Sequence, residues 1–582
     1  RLNPGATVAG AQAELDVIGA NLARAFPANN QDRGIAAVPL SEELSATVRR
    51  PLEMLLGAVG LVLLLACANV TNLLLSRAVA RRREMAVRVA LGASRRRLAQ
   101  QLLTESVLLS TIGGIAGLLF AMTAMRLLSS SLPADLSRAA GISVDVTSMV
   151  FAALVSLATG IVVGLMPLVG VGRANAAESL KENSRAIGHA QSGLRNALVV
   201  AQIAVAIMLL IGAGLMTKSL WALMQVEPGF RSQGILTARL LLPPGRYADN
   251  RRIAMFEEEL RDGLRGRPGV QSAGFATYLP LSGLDNGWSF TVDGRPPLPV
   301  GVYNMAQYRP VSAGYFETLG IPLIRGRWFT PADTAESPWV VVISDAMARQ
   351  FWPGEDPIGQ RLRFGPPTAR TVIGVVGNVR HDALDAEAKP EMYVPVPQAP
   401  NDEVSPMIVV RTTLDPGAAA AELRAAVSAI DRAVPVDRIG TVGQLVSASV
   451  AQSRFRTVIL ATFSILALAM ASIGIYGVMN YIVIQRTREF GIRLTMGATR
   501  TAVLRLVLGR VAVLIGAGTA LGLGGAVLIG RLIATLLFGT TPMDPFTFAA
   551  VPFGLAGVAL MASYIPARRA TLVDPIVALR HE

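Results

Sequence analysis

Long stretches without Asp, Glu, Lys or Arg alternate along the chain with short, strongly basic connections. Seven charge-free runs stand out: Met54–Ser76, Ser106–Met125, Val146–Gly172, Asn196–Thr217, Thr457–Gln485, Val511–Gly530 and Pro545–Ala567, of 20 to 29 residues each. A bilayer core is crossed by about 20 apolar residues in a helix, whereas helices of soluble proteins average about 11–12. One such run fits a buried core helix; seven do not. The pattern predicts seven membrane spans. Gly-rich stretches within them, Gly113-Gly114-Ile-Ala-Gly117 and Gly522-Leu-Gly524-Gly525, suit close helix packing in lipid.

The polar connections set the orientation. Segments 77–105, 173–195, 486–510 and 568–582 carry 21 Lys and Arg, while 126–145 and 531–544 carry only Arg126, Arg138 and Arg531. Basic loops stay on the cytoplasmic side. The C-terminus is therefore expected inside, and residues 218–456 outside. That exterior segment holds 23 of the 34 Pro and all five Trp. β-rich runs (Ile235–Leu242, Gln307–Pro310, Trp339–Ile343, Thr371–Val376, Met407–Val410) alternate with helical patterns at Arg252–Leu264 and Ala418–Asp431. The segment reads as an α+β domain, in two lobes.

The chain also repeats itself. Glu14-Leu15 precedes Pro27 as Glu422-Leu423 precedes Pro435, and Asn72 maps onto Asn480 at the same offset of 408. At an offset of 405, Arg83-Glu84-Met85-Ala86-Val87-Arg88-Val89-Ala90-Leu91-Gly92-Ala93-Ser94-Arg95 matches Arg488-Glu489-Phe490-Gly491-Ile492-Arg493-Leu494-Thr495-Met496-Gly497-Ala498-Thr499-Arg500. Two spans and a basic, Leu-containing segment then follow in each copy. The second copy has an opening span and a full exterior domain; the first has neither. Residues 1–51 resemble the tail of such a domain. This predicts a native N-terminus on the order of 200 residues upstream and eight spans in full.

In the repeated element, Glu84 and Arg88 are i,i+4 neighbours on a helix, as are Glu489 and Arg493. Such a pair contributes only about 0.3–0.5 kcal/mol, so stability alone is a weak reason for it. Gly92 and Gly497 sit where a helix stops and turns. Anchoring to anionic headgroups needs charge but no fixed order of residues. A helix that fits one groove on a protein partner does need order.

Composition narrows the chemistry. Only 16% of residues are charged, yet the net charge is +14. A nucleic-acid-coating protein would carry more charge overall, so no nucleic-acid partner is expected. One Cys, and His only at 189, 381 and 581, exclude a Cys- or multi-His-based metal site within the chain. Cys67, mid-span, reads as a small packing residue. Asn69 and Asn72 could face a pore, but an interhelical hydrogen bond is the better reading. No carboxylate or Lys sits deep in a span, against a proton-coupled carrier. Gly-x-x-x-x-Gly-Lys-Ser/Thr is absent; the nearest string, Gly212 to Ser219, has Thr217 where the second Gly belongs. His381-Asp382 reads as a satisfied surface pair. No catalytic residue and no cofactor-binding site is expected.

The repeated basic element resembles the cytoplasmic coupling segment of FtsX-like and MacB-like ABC transporter permeases. The exterior segment resembles the MacB-type periplasmic core domain through Val311–Arg327, Val342–Pro353, Asp356–Gly359 and Ile373–Gly377. The resemblance covers nearly the whole chain, as a tandem-duplicated type. It implies this organisation: 1–51, remnant of a first periplasmic domain; 52–175, a first FtsX-like permease domain (spans 54–76, 106–125, 147–172) with coupling segment 77–102; 176–195, a cytoplasmic linker; 196–217, a transmembrane helix; 218–456, the MacB-like periplasmic core; 457–582, a second permease domain (spans 457–483, 511–530, 546–566) with coupling segment 486–505.

It also implies a function. The chain would be a permease of the bacterial inner membrane that couples ATP hydrolysis by a separate, homodimeric cytoplasmic ATPase to export, extraction or force transmission. Glu84, Arg88, Gly92, Ala93, Glu489, Arg493, Gly497 and Ala498 would form the ATPase contact. Lipids and a periplasmic adaptor or envelope protein would be the other partners. The alternative with the same topology is a transmembrane scaffold that activates an envelope enzyme without transporting anything.

Overall fold

The computed structural model describes residues 2–30, 34–80, 95–131, 145–171, 184–283, 285–299, 302–364, 369–400, 406–485 and 499–570, together with 489, 493 and 496. The chain divides into two compact units, one of Arg1–Arg49 with Ser219–Phe455, the other of Arg50–Lys218 with Arg456–Glu582.

The helical unit follows the charge-free runs. Among the described residues, six helices are long and apolar enough to span a bilayer: Pro51–Asn72, Leu103–Thr123, Arg195–Met224, Ala451–Asn480, Leu504–Leu532 and Pro545–Arg568. The expected third span lies in the helix Val146–Val171, with a shorter described apolar stretch, Val146–Val162. Arg195–Met224 is the central element. Ile203, Ile207, Ile211 and Leu215, four residues apart, are essentially inaccessible among the neighbouring helices. In lipid, apolar transfer contributes little between helices, so close packing and polar contacts hold them together. A seam of small residues shows this. Ser106, Ser110 and Gly114 oppose Gly164, Gly160 and Ser156, and Ser156 Oγ donates to the Ser110 carbonyl at 2.7 Å. A Cβ on Gly160 would lie 2.5 Å from Ser110 Oγ, so only glycine permits this approach.

The α+β unit has two lobes. The first is a four-stranded antiparallel sheet in the order β11 (Val436–Thr441), β1 (Ile235–Leu240), β10 (Met407–Thr412), β2 (Val270–Ala276). Helices Asn250–Arg265 and Pro416–Ile430 connect β1 to β2 and β10 to β11, which makes a split βαβ arrangement. Their apolar stripes (Ile253, Phe256, Leu260, Leu264; Leu423, Ala426, Val427) pack on Leu236, Ala238, Ile408 and Val410. Asp249 and Asp415 cap the two helices, accepting from the amides of Arg252 and Gly417 at 2.8 and 2.9 Å.

The second lobe is a closed barrel. Strands β4 (Asn304–Val311), β3 (Gly287–Val292), β7 (Arg361–Arg363), β8 (Ala369–Val376), β6 (Val340–Ser344) and β9 (Glu391–Pro395) pair in that order, and β9 returns to β4 in parallel. Closure removes the free edges of these six strands, while β5 (Leu323–Gly326) pairs with β8 alone. Alternate residues fill the interior: Phe290 and Val292, Ala306 and Tyr308, Val341 and Ile343, Met392 and Val394. Trp288 stacks on Tyr308 with ring centroids 4.5 Å apart.

Helix Asn250–Arg265 buries three polar residues, Asn250, Glu257 and Arg261, against the polar-outside rule. Glu257 is 3% exposed, and burial pushes its carboxyl up to about 8, although Arg261 opposes the shift. Between its unfolded value of 4.5 and 8 the folded form holds a proton that the unfolded chain releases. Stability therefore falls as pH rises through that window, by at most about 1.4 kcal/mol per unit. Glu257→Gln is expected to flatten the dependence of the unfolding midpoint on pH between 5.5 and 8. Parallel wild-type and variant profiles would refute the burial argument.

Candidate functional site

The second copy of the repeated basic element lies between helices Ala451–Gln485 and Arg500–Leu532. Glu489 and Arg493 stand one helical turn apart, with Arg493 Nη2 2.7 Å from Glu489 Oε1, and both side chains remain substantially exposed. Thr499 then starts the next helix, its hydroxyl accepting from the Ala502 amide at 3.3 Å. That helix is basic along its first turns, at Arg500, Arg505 and Arg510. The expected partners of these residues, Gly497 and Ala498, lie outside the described residues, as do Glu84, Arg88, Gly92 and Ala93 of the first copy. The first copy resumes with the helix Arg95–Ser131.

Met496 went unremarked in the sequence reading. It is 84% exposed and lies in a turn. The repeat carries the signal: the matching position of the first copy is Leu91, so both copies place a large apolar side chain directly before the Gly-Ala step.

Within the helical unit, three helices meet at a polar node. Asn69 Nδ2 donates to the Met470 carbonyl at 3.0 Å, and Gln202 Nε2 donates to Asn69 Oδ1 at 3.1 Å. The helix Ala451–Gln485 comes this close because residue 474 is glycine. A Cβ there would lie 2.2 Å from Gln202 Oε1. Asn69 therefore makes the interhelical bond its position implies. Asn72, a turn further on, has no hydrogen-bond partner among the described residues.

At the other end of the same helices, Lys218 Nζ lies 2.5 Å from Asp544 Oδ1. Asp544 also accepts from the amide and hydroxyl of Thr547, at 3.0 and 2.7 Å, and so caps the helix Pro545–Ala570. The Lys218 hydrogen bond, reinforced by Thr547, holds the Asp544 carboxyl below the usual carboxylate range. The string Gly212–Ser219 is continuous helix, and its lysine is engaged by a carboxylate rather than set in a phosphate loop.

His381 departs from its sequence reading. It lies in a loop but is buried, with Nδ1 2.7 Å from Glu391 Oε1. Glu391 is a charged residue at the start of a fully buried strand, and its charge draws in His381, Arg309 and the Tyr393 hydroxyl. This is a structural cluster; no cluster of three or more metal-ligating side chains occurs among the described residues.

Two family models match. The FtsX-like permease C-terminal model covers residues 56–176 and again 461–575, and the MacB-like periplasmic core domain model covers 197–430. Among curated proteins, the probable syringafactin export ATP-binding/permease protein SyfD of Pseudomonas syringae pv. tomato is 28% identical over 48% of this chain and 42% of its own length. The macrolide export ATP-binding/permease protein MacB of Azoarcus sp. is 27% identical over 45% of this chain and 40% of its own. The chain thus spans about two fifths of the length of these relatives. Among solved structures, the periplasmic region of MacB from Actinobacillus actinomycetemcomitans matches 39% of this chain and 97% of its own, at 17% identity and a TM-score of 0.28. The paired FtsX-like segments mark the internal repeat, and the apolar helices make this a multi-pass inner-membrane protein. With both characteristic domains in place, the chain belongs to the MacB/FtsX-like permeases of ABC transporters.

Proposed function

We propose that the chain is the permease subunit of a mechanotransmission system, driven by a separate cytoplasmic ATPase that acts as a homodimer. The two coupling elements, 77–102 and 486–505, receive the ATPase movement on the cytoplasmic side. The spans carry it to residues 218–456 on the far side, where it serves export or extraction of a hydrophobic or peptide-like cargo. A periplasmic adaptor or envelope protein would take up the movement there, with lipid around the spans.

The observation that carries this reading is the exposed Glu489–Arg493 pair beside Met496 and an N-capped helix. An exposed pair of this kind contributes little to stability. It does present a carboxylate, a guanidinium and an apolar knob in fixed order. An amphipathic helix laid in a groove is read in that way. Glu84, Arg88 and Leu91 stand at the matching positions of the first copy, followed by Gly92 and Ala93, so one chain would offer two matched contacts to a two-fold ATPase.

The test is the double variant Gly92→Val with Gly497→Val, reconstituted with the partner ATPase. Stimulation of ATP hydrolysis by the permease is expected to fall to the level of the ATPase alone, with membrane insertion intact. Full stimulation in the double variant would remove the coupling role from these segments.

A further inference from the structure

We propose that the cavity between the two lobes of the α+β unit, walled by Glu257 and Arg261 on one side and by Phe329 and Val396 on the other, binds the primary carboxamide of an Asn or Gln side chain on a partner polypeptide. The inference concerns this unit alone and holds whether or not an ATPase drives the chain.

The helix Asn250–Arg265 has two contact faces. Ile253, Phe256, Leu260 and Leu264 pack on the sheet of the first lobe. Asn250, Ala254, Glu257 and Arg261, three or four residues apart, form a second stripe, turned to the barrel lobe. Asn250 completes its contact there: Nδ2 donates to the carbonyls of Ala399 and Pro400 at 2.7 and 2.8 Å. Further along the stripe the lobes part around a cavity of about 60 Å³. Its far wall is formed by the ends of β4 and β9 and by the loop at Phe329 and Pro331. A water-sized group takes about 10–15 Å³, so the space holds roughly four to six such groups, the size of a carboxamide with the carbon that carries it.

Two polar side chains in the cavity have bonding capacity left. Glu257 is 3% exposed, and its Oε1 has no hydrogen-bond partner among the described residues. Arg261 is also buried. Its Nη2 donates to Glu258 Oε1 at 3.0 Å, but Nε, 3.6 Å from Asp262 Oδ1, makes no hydrogen bond. Buried polar atoms are normally paired, and leaving one unpaired is costly. A ligand that supplies both partners removes that cost.

The charges decide which ligand. Asp333, on the far wall, is held by both Nη atoms of Arg327 at 2.8 Å and by the Thr330 amide at 2.8 Å. Arg261 is matched by Glu258. Burial pushes the Glu257 carboxyl up to about 8, so at neutral pH it carries its proton. With the formal charges paired, an ion of either sign would enter uncompensated, whereas an uncharged group would not. A protonated carboxyl offers an O–H and a C=O side by side. A primary amide offers an N–H and a C=O in the same way, so the two close a ring of two hydrogen bonds, and the second lone pair of the amide oxygen remains for Arg261 Nε. In a trans main-chain peptide the N–H and C=O point in opposite directions and cannot close that ring.

The experiment titrates the detergent-solubilised 582-residue chain with acetamide, acetate, methylammonium and N-methylacetamide at pH 6.5, followed by saturation-transfer NMR. Acetamide is expected to bind about tenfold more tightly than each of the other three, the scale of one hydrogen bond. The capped tripeptide Ala-Gln-Ala should displace it, and capped Ala-Glu-Ala should not. Glu257→Gln keeps a donor beside an acceptor and is expected to retain acetamide binding. Glu257→Met and Arg261→Met are each expected to weaken it about tenfold. Because the probe comparison is made on the parent chain and Glu257→Gln preserves the shape of the site, the outcome does not depend on how well the methionine variants fold. Absence of acetamide binding would overturn the proposal, as would acetate or methylammonium binding equally well, loss of binding in Glu257→Gln, or failure of the Gln tripeptide to compete.

Discussion

Arg309→Met is expected to destabilise the α+β unit by about 3–5 kcal/mol, the range for removing one member of a buried ion pair. Arg309 is 1% exposed, as is Glu391, and its Nε lies 3.7 Å from Glu391 Oε1. Its Nη2 donates to Asp285 Oδ1 at 2.9 Å. Without the guanidinium, Glu391 keeps the Tyr393 hydroxyl at 2.5 Å and His381 Nδ1 at 2.7 Å, but no permanent positive charge. Tyr393 cannot replace it: burial and the Glu391 charge hold its phenol far above the ordinary range, so it stays a neutral hydrogen-bond donor. Two strands of the barrel, β4 and β9, meet at this point, with Arg309 opposite Tyr393 in the register. The loss is therefore expected to appear as unfolding of the barrel. All five Trp lie within residues 218–456, so intrinsic fluorescence during urea unfolding reports on this unit. Adding Glu391→Gln to Arg309→Met should recover most of the loss, since the uncompensated charge is then gone. A loss below about 1 kcal/mol, or no recovery in the double variant, would show that the pair is not what holds the closure.

The spans were legible because lipid forbids charge over about 20 residues, a constraint that acts on composition alone. Strands β1, β6, β8 and β10 were legible for a related reason, their branched residues, and β4 only through its Gln307–Pro310 stretch around Tyr308. The missed strands break that pattern locally. Strand β9 begins with Glu391, whose partners come from 82 residues upstream at Arg309 and from the loop at His381. Strand β2 holds Gly274, where a Cβ would lie 2.7 Å from the Tyr315 amide nitrogen; the glycine admits the backbone of the helix Tyr315–Leu319. Barrel closure depends on the parallel β4–β9 pairing, which no local window contains. In the membrane unit the asparagine of the polar node was visible as an oddity within an apolar run. Gln202 and Gly474 were not, because a glutamine near a span end and a glycine in a helix are each ordinary until the third helix arrives. The repeat picks out the two basic elements as a pair, but Met496 is one of four apolar residues alternating there, Phe490, Ile492, Leu494 and Met496, and that spacing singles out none of them.

The polar node yields the sharpest test of the membrane unit. Gly474 and Gly477 lie on the same helix, three residues apart, in the same apolar span. A Cβ at 474 would stand 2.2 Å from Gln202 Oε1 and 2.9 Å from Asn69 Oδ1; one at 477 would meet nothing within 4 Å. Helix propensity favours alanine at both positions by about 1 kcal/mol. Packing opposes it only at 474, where the amides of two helices must move or break their bonds, and overpacking costs about 1–3 kcal/mol. Gly477→Ala is thus expected to be neutral or stabilising, and Gly474→Ala destabilising, in thermal unfolding of the detergent-solubilised protein. Gly474→Leu should be worse still, by separating Asn69 from the Met470 carbonyl it now reaches at 3.0 Å. Gln202→Ala combined with Gly474→Ala should restore much of the midpoint, because the colliding oxygen is gone. If the two alanine variants behave alike, the node does not set the spacing of these helices, and the packing of Asn69, Gln202 and Gly474 is incidental to it.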